Sequence, residues 1–128
     1  MTSKEFDLNG VNHAVYLVSN LDRSLKFYRD YLGIKQIPKM VPQDHLVWLL
    51  LPSGVMIHLI ENEELPLPSQ RTHIAFEVDD IDKVAEKLKE DKIEILTSGV
   101  RLDGQRYIFI YDPDQNRVEF CTASKFNI

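Results

Sequence analysis

Four residues of this chain have the types that a metal site needs: His13, His58, His73 and Glu119. Each stands in an apolar, strand-forming run: "VNHAVYLV" (11–18), "GVMIHLIEN" (54–62), "THIAFEVDD" (72–80) and "NRVEFC" (116–121). Burying a polar ring without a partner costs about 1–3 kcal/mol. A carboxylate buried alone must shift its pKa or find a cation. Two readings of the residues stand side by side. Each histidine can be bonded to a core partner, with Glu119 at a sheet edge, or one divalent ion can satisfy all four groups at once. Three imidazoles and one carboxylate suit Zn, Ni, Co or Fe(II) better than Mg.

The spacing of the four favours the ion. "HAVYLVSNLD" (13–22) lies over "HIAFEVDDID" (73–82) at an offset of 60 without a gap. His13 meets His73, Tyr16 meets Phe76, Val18 meets Val78 and Asp22 meets Asp82. "LPSGVMIHLI" (51–60) lies over "DPDQNRVEFC" (112–121) at an offset of 61, which sets His58 over Glu119. The chain is one unit written twice. Two copies of a unit usually pack about a pseudo-twofold axis, so the four polar positions are expected to converge. Alternation along the strands agrees, because residues i and i±2 share a face. Ile74, Phe76 and Val78 form a covered face while His73 and Ala75 point the other way, and Glu119 points away from Val118 and Phe120.

The elements that must position these residues follow from periodicity. The run 11–18 is an expected strand. In "NLDRSLKFYRDYLG", Leu21, Leu25, Tyr28 and Leu32 form one helical face, with Asn20 or Asp22 to cap its start and Gly33 its end. "KQIPKMVPQD" reads as loop or edge strand, and "HLVWLLL" and "VMIHLIEN" as strands about a tight turn. "EELPLPSQ" is a linker. Then follow strand "THIAFEVDD", a helix in "DDIDKVAEKLKED", short strand "KIEILT" and two strands about "DPDQN"; the tail "SKFNI" has no assignment. One domain over 1–128 is expected, with module one at about 9–62, linker 63–70 and module two at about 71–123.

The bulk composition excludes some classes. The 128 residues suit one domain with a real core. A net charge of −5 argues against a sequence-independent grip on nucleic acid. No apolar run is long enough to span a bilayer, "MTSKEFDLNG" has no signal-peptide core, and the lone Cys121 permits no internal disulfide. A cytoplasmic protein is the expectation, with no membrane partner.

With these motifs in place, the chain resembles the vicinal oxygen chelate superfamily, which includes glyoxalase I, extradiol dioxygenases, methylmalonyl-CoA epimerase, fosfomycin-resistance enzymes and bleomycin-binding proteins. The resemblance covers about residues 9–123 and rests on "VNHAVYLVSNLDRSLKFYRDYLG", "THIAFEVDDID" and "IYDPDQNRVEF". It implies an α+β fold of two βαβββ modules whose sheets curl around a metal. It sets His13, His58, His73 and Glu119 at the ligand positions. It implies an enzyme for which a small oxygen-rich substrate chelates one divalent ion through neighbouring oxygens, with Glu119 as ligand and proton acceptor. Lyase or isomerase chemistry of glyoxalase type comes first. A small dioxygenase, a fosfomycin-type thiol transferase and a non-catalytic drug- or metabolite-binding protein are the alternatives. A homodimer is implied, with the site within one chain or across its interface.

Departures from the family patterns narrow the choice. Bacterial glyoxalase I usually has Glu where His58 stands, and an Arg for glutathione where Leu17 stands. Extradiol dioxygenases and fosfomycin-resistance enzymes usually have Tyr at the position of Phe109. Fosfomycin transferases also tend to carry an Arg soon after the last Glu, where this chain has Lys125. Met56, Phe109 and Cys121 are the expected pocket-lining residues, with core packing as the alternative. Glu77 belongs to the rim or a solvated strand end. Arg71, Arg101 and Arg106 are surface charges or contacts to an anionic substrate, His45 is a surface residue, and Trp48 and Tyr107 are core or interface.

Overall fold

A computed structural model describes residues 5–125 of the chain. They form two compact units that divide between Glu63 and Glu64. The first contains strand β1 (His13–Val18), helix α1 (Leu21–Leu25), and strands β2 (Lys35–Ile37), β3 (Leu46–Leu50) and β4 (Met56–Glu61). The second contains β5 (His73–Glu77), α2 (Ile81–Glu90), β6 (Thr97–Val100), β7 (Arg106–Tyr111) and β8 (Arg117–Cys121). The sheet orders are β1-β4-β3-β2 and β5-β8-β7-β6. In each sheet the first strand is parallel to the last and the other pairs are antiparallel. Each unit is therefore βαβββ, the α+β arrangement that the family resemblance implies.

The repeat holds at the level of register. Val15 lies opposite His58 in the first unit, and Ala75 lies opposite Glu119 in the second. Trp48 faces His58 across β3–β4, as Phe109 faces Glu119 across β7–β8. One face of each sheet is closed by its helix. Tyr16, Val18, Leu49, Ile57 and Leu59 are buried, as are Leu25 and Tyr28 of the helical segment. The Tyr16 and Tyr28 rings stack with centroids 5.4 Å apart. In the second unit α2 packs on β7 and β8, and Ile81, Leu88, Ile108, Ile110, Val118 and Phe120 are buried. The His13/His58 and His73/Glu119 positions lie on the opposite faces, because strand side chains alternate.

Both helices start at matching caps: the Asn20 side chain accepts from the Arg23 amide, and Asp80 accepts from the Lys83 amide. Two expectations need correction. The helix in "NLDRSLKFYRDYLG" is α-helical only over Leu21–Leu25 and continues as π-helix over Lys26–Tyr31, where the Leu32 amide donates to the Phe27 carbonyl. The wider winding breaks the i, i+4, i+7, i+11 stripe: Leu25 and Tyr28 are buried while Leu21 and Leu32 are only half-buried. Gly33, with φ of 78°, ends it as expected. The strand expected at "KIEILT" begins only at Thr97 and runs to Val100. The residues before it terminate α2 instead: Lys92 takes a φ of 57° and the Ile93 amide donates to the Leu88 carbonyl. In "SKFNI", Ser124 and Lys125 lie outside any strand, and 126–128 are outside the described residues. Among the described residues no helix is long and apolar enough to cross a membrane.

Candidate functional site

The first unit brings His13 and His58 together. Their rings stack with centroids 4.2 Å apart and planes 12° from parallel. His13 is exposed, and its Nδ1 meets the Asn12 Oδ1 at 2.8 Å. That oxygen only accepts, so Nδ1 carries the hydrogen and Nε2 of the neutral ring keeps the lone pair. His58 is buried, and among the described residues no hydrogen bond reaches its buried Nε2. Burial, and secondarily the neighbouring His13, lowers the His58 pKa, which keeps the ring neutral and its lone pair available. Met56, half-buried, lies opposite His13 across the β1–β4 pair.

The second unit brings His73 and Glu119 together. The His73 Nδ1 donates to the Arg71 carbonyl at 2.8 Å, and its Nε2 lies 3.0 Å from the Glu119 Oε1. A backbone carbonyl on Nδ1 is the outer support that metal-bound histidines commonly have. The 3.0 Å gap is an ion-pair distance, and it is also about the separation of two donors that meet one centre at a right angle. Glu119 is almost wholly buried. Its second oxygen, Oε2, accepts from the Arg101 guanidinium at 3.1 Å. Arg101 stacks 4.3 Å over the Tyr107 ring and also donates to the Gln105 side chain. Gly99 leaves room for that ring, since a Cβ there would stand 2.8 Å from the Tyr107 hydroxyl.

Phe109, buried, meets His73 edge-on at 4.9 Å, and the Arg117 guanidinium lies 4.4 Å over its other side. Cys121 is buried, and its thiol pKa is pushed up by burial and then by Glu119, so it is a poor nucleophile. Arg101 is the residue the sequence reading undervalued. The Asp103–Gly104 turn could have found it, because that hairpin sets Arg101 on the same face as Tyr107 and Phe109. Of the other arginines, Arg106 pairs with exposed Asp82 and Arg71 contributes its carbonyl to His73. Trp48, expected in the core or at an interface, lies flat on His58.

The donor set of each unit fits a metal: a buried imidazole nitrogen without a partner in the first, and an imidazole and carboxylate at ligand spacing in the second. Among the described residues no three His, Cys, Asp or Glu side chains are gathered into a group that could hold a metal ion; His13 with His58, and His73 with Glu119, come together only as pairs.

Comparison with known proteins identifies the family. The profile of the Glyoxalase/Bleomycin resistance protein/Dioxygenase superfamily matches residues 10–120. The chain belongs to this superfamily. It is 32% identical to metallothiol transferase FosB of Staphylococcus haemolyticus, over 91% of this chain and 86% of that one. It is 29% identical to lactoylglutathione lyase of Neisseria meningitidis, over 84% of this chain and 86% of that one. Among solved structures, a mutant of the fosfomycin resistance protein FosX from Listeria monocytogenes superposes with a TM-score of 0.76 at 22% identity, over 92% and 95% of the two chains. That protein was crystallised with Mn(II) and 1S,2S-dihydroxypropylphosphonic acid. The superfamily's enzymes thus include a thiol transferase and a lyase, and this member shares their fold.

Proposed function

We propose that this protein is a metal-dependent enzyme of glyoxalase type, an isomerase or lyase acting on a small substrate with two neighbouring oxygens. His13, His58, His73 and Glu119 are the proposed ligands of one divalent ion, with Zn, Ni, Co or Fe as its identity. The observation that carries the reading is the buried His58 Nε2, which has no hydrogen-bond partner among the described residues. An orphaned buried acceptor costs about 1–3 kcal/mol, and ligation removes that cost. When bound, the ion supplies Lewis acidity, stabilising negative charge that develops on the substrate oxygens.

The protein's own groups do the rest. Glu119 is the proposed proton acceptor: it takes the C–H proton from the hydroxyl-bearing carbon beside a substrate carbonyl and returns it to the carbonyl carbon, while the hydroxyl proton passes to the former carbonyl oxygen, so that hydroxyl and carbonyl exchange places and no atom is lost. Arg101 holds Oε2 and so fixes the carboxylate plane, leaving Oε1 toward His73. Met56 and Phe109 line the proposed pocket with apolar surface, and Cys121 fills its floor as an unreactive thiol. The proposed substrate-bearing form is a homodimer in the cytoplasm.

A second reading, a metallothiol transferase, is favoured by the 32% identity to FosB. Phe109, where fosfomycin-resistance enzymes usually have Tyr, stands against it. The test is metal content per chain together with two assays: isomerisation of hemithioacetals of α-ketoaldehydes in deuterated water, and addition of thiols to fosfomycin. One equivalent of metal with exchange of the substrate C–H supports the isomerase reading. Thiol addition alone moves the protein to the second. Glu119→Gln is expected to lower isomerisation at least a thousandfold while the chain stays folded, and a near-normal rate removes Glu119 from the chemistry.

A further inference from the structure

We infer that Trp48 is a positioning residue for His58, holding its imidazole plane so that Nε2 is aimed before a metal arrives. This rests on the reading of His58 as a ligand. Trp48 and His58 are directly opposite in the β3–β4 register. Their rings lie 4.5 Å apart and 3° from parallel. His13 covers the other face of the same imidazole at 4.2 Å. His58 is thus the middle ring of three.

The lone pair of an imidazole nitrogen lies in the ring plane, so whatever fixes the plane fixes the direction of ligation. For His73 that support is a hydrogen bond at Nδ1, to the Arg71 carbonyl. For His58 the support is the flat indole. The stack also settles which ring moves. Planes only 12° from parallel at stacking distance do not meet near the rings, so His13 and His58 cannot both aim at one ion as they stand. His58 is buried and backed by Trp48, whereas His13 is exposed and tied to the exposed side chain of Asn12. His13 is therefore the ring that turns, and Trp48 keeps His58 in place.

Cobalt(II) tests this on the full chain. Trp48 is the chain's one tryptophan, so its emission reports on this ring alone. One equivalent of Co(II) is expected to quench that emission in the wild type. Loss of an outer support typically weakens metal binding about 10–100-fold. Trp48→Leu is therefore expected to bind Co(II) at least tenfold more weakly, with an altered visible absorption spectrum. Trp48→Phe, which restores a flat ring, is expected to bind within about threefold of wild type. A purely structural Trp48 would change melting temperature in Trp48→Leu and leave affinity and spectrum alone; that result overturns the inference. If Trp48→Leu does not fold, an unquenched wild-type emission at full loading overturns it as well. Wild-type protein that takes up no cobalt removes the metal reading itself, and the role of Trp48 with it.

Discussion

Glu119 and Arg101 set the tone at the scale of single residues. The Glu119 side chain is deeply buried, and Arg101 supplies a cation 3.1 Å from its Oε2. The guanidinium is itself part-exposed and rests on Tyr107, so the pair is a rim contact on one side and a core contact on the other. Arg101→Gln is expected to destabilise the fold by about 1 kcal/mol, a hydrogen bond to a charged group discounted for the exposure of Arg101. With Glu119 in its proposed role as proton acceptor, the effect on turnover is expected to be larger, about tenfold to a hundredfold in kcat/KM, because a loosened carboxylate would not meet its proton in line. Steady-state kinetics beside urea unfolding separates the two, and equal small effects on both would reduce Arg101 to a stabilising ion pair. The types and positions of His13, His58, His73 and Glu119 were legible in the sequence, because the two offsets align them and alternation sets their face. Arg101 was not, because its partner is 18 residues away and only the hairpin register joins them.

At the scale of elements, the doubled chain gives paired tests. Asn20 and Asp80 occupy one position of the repeat, and each caps its helix by accepting a backbone amide three residues on. Replacing either by Ala is expected to cost about 1 kcal/mol. The cost at Asn20 should be smaller in its effect on helicity, since α1 is only Leu21–Leu25 before π winding begins. Circular dichroism with denaturant unfolding checks both. A second element-scale test concerns Asp103, whose side chain accepts from the Gln105 and Lys125 amides. Those bonds, Lys125 first, lower its pKa below the usual carboxylate value. A carboxyl with a depressed folded pKa adds stability that is present above the unfolded pKa and is lost as pH falls through the folded one. The Lys125 and Gln105 amide resonances are therefore expected to shift together with a midpoint below pH 3.8, and a midpoint above it would exclude the clamp. The succession of elements along the chain, the helix caps and the tight turns were readable because each has a local signature. The π-helical stretch and the late start of β6 were not, because both depend on how a helix ends against its sheet rather than on apolar period.

At the scale of the whole molecule, the question is what joins two units with the same design. Each supplies two of the four proposed ligands, and two donors do not satisfy an ion that takes four or more. The proposal therefore makes binding conditional on both halves, and that condition is measurable without knowing the substrate. A ligand that binds only the folded state stabilises it by RT ln(1 + [L]/Kd), about 2.7 kcal/mol at a hundred times Kd. For a chain of this size that corresponds to a rise in Tm of about 10 °C. Wild-type protein is expected to show this rise with Zn(II) or Co(II) and to lose it in chelator. The double variants His13→Ala/His58→Ala and His73→Ala/Glu119→Gln are both expected to remain folded and to show no rise. A rise that survives in His13→Ala/His58→Ala would mean that His73 and Glu119 bind metal alone, and His58 would then need another partner for its buried nitrogen. Loss in both, with one equivalent per chain in the wild type, is the outcome that the proposed set of four ligands requires, because a pair of donors alone leaves the ion short of ligands.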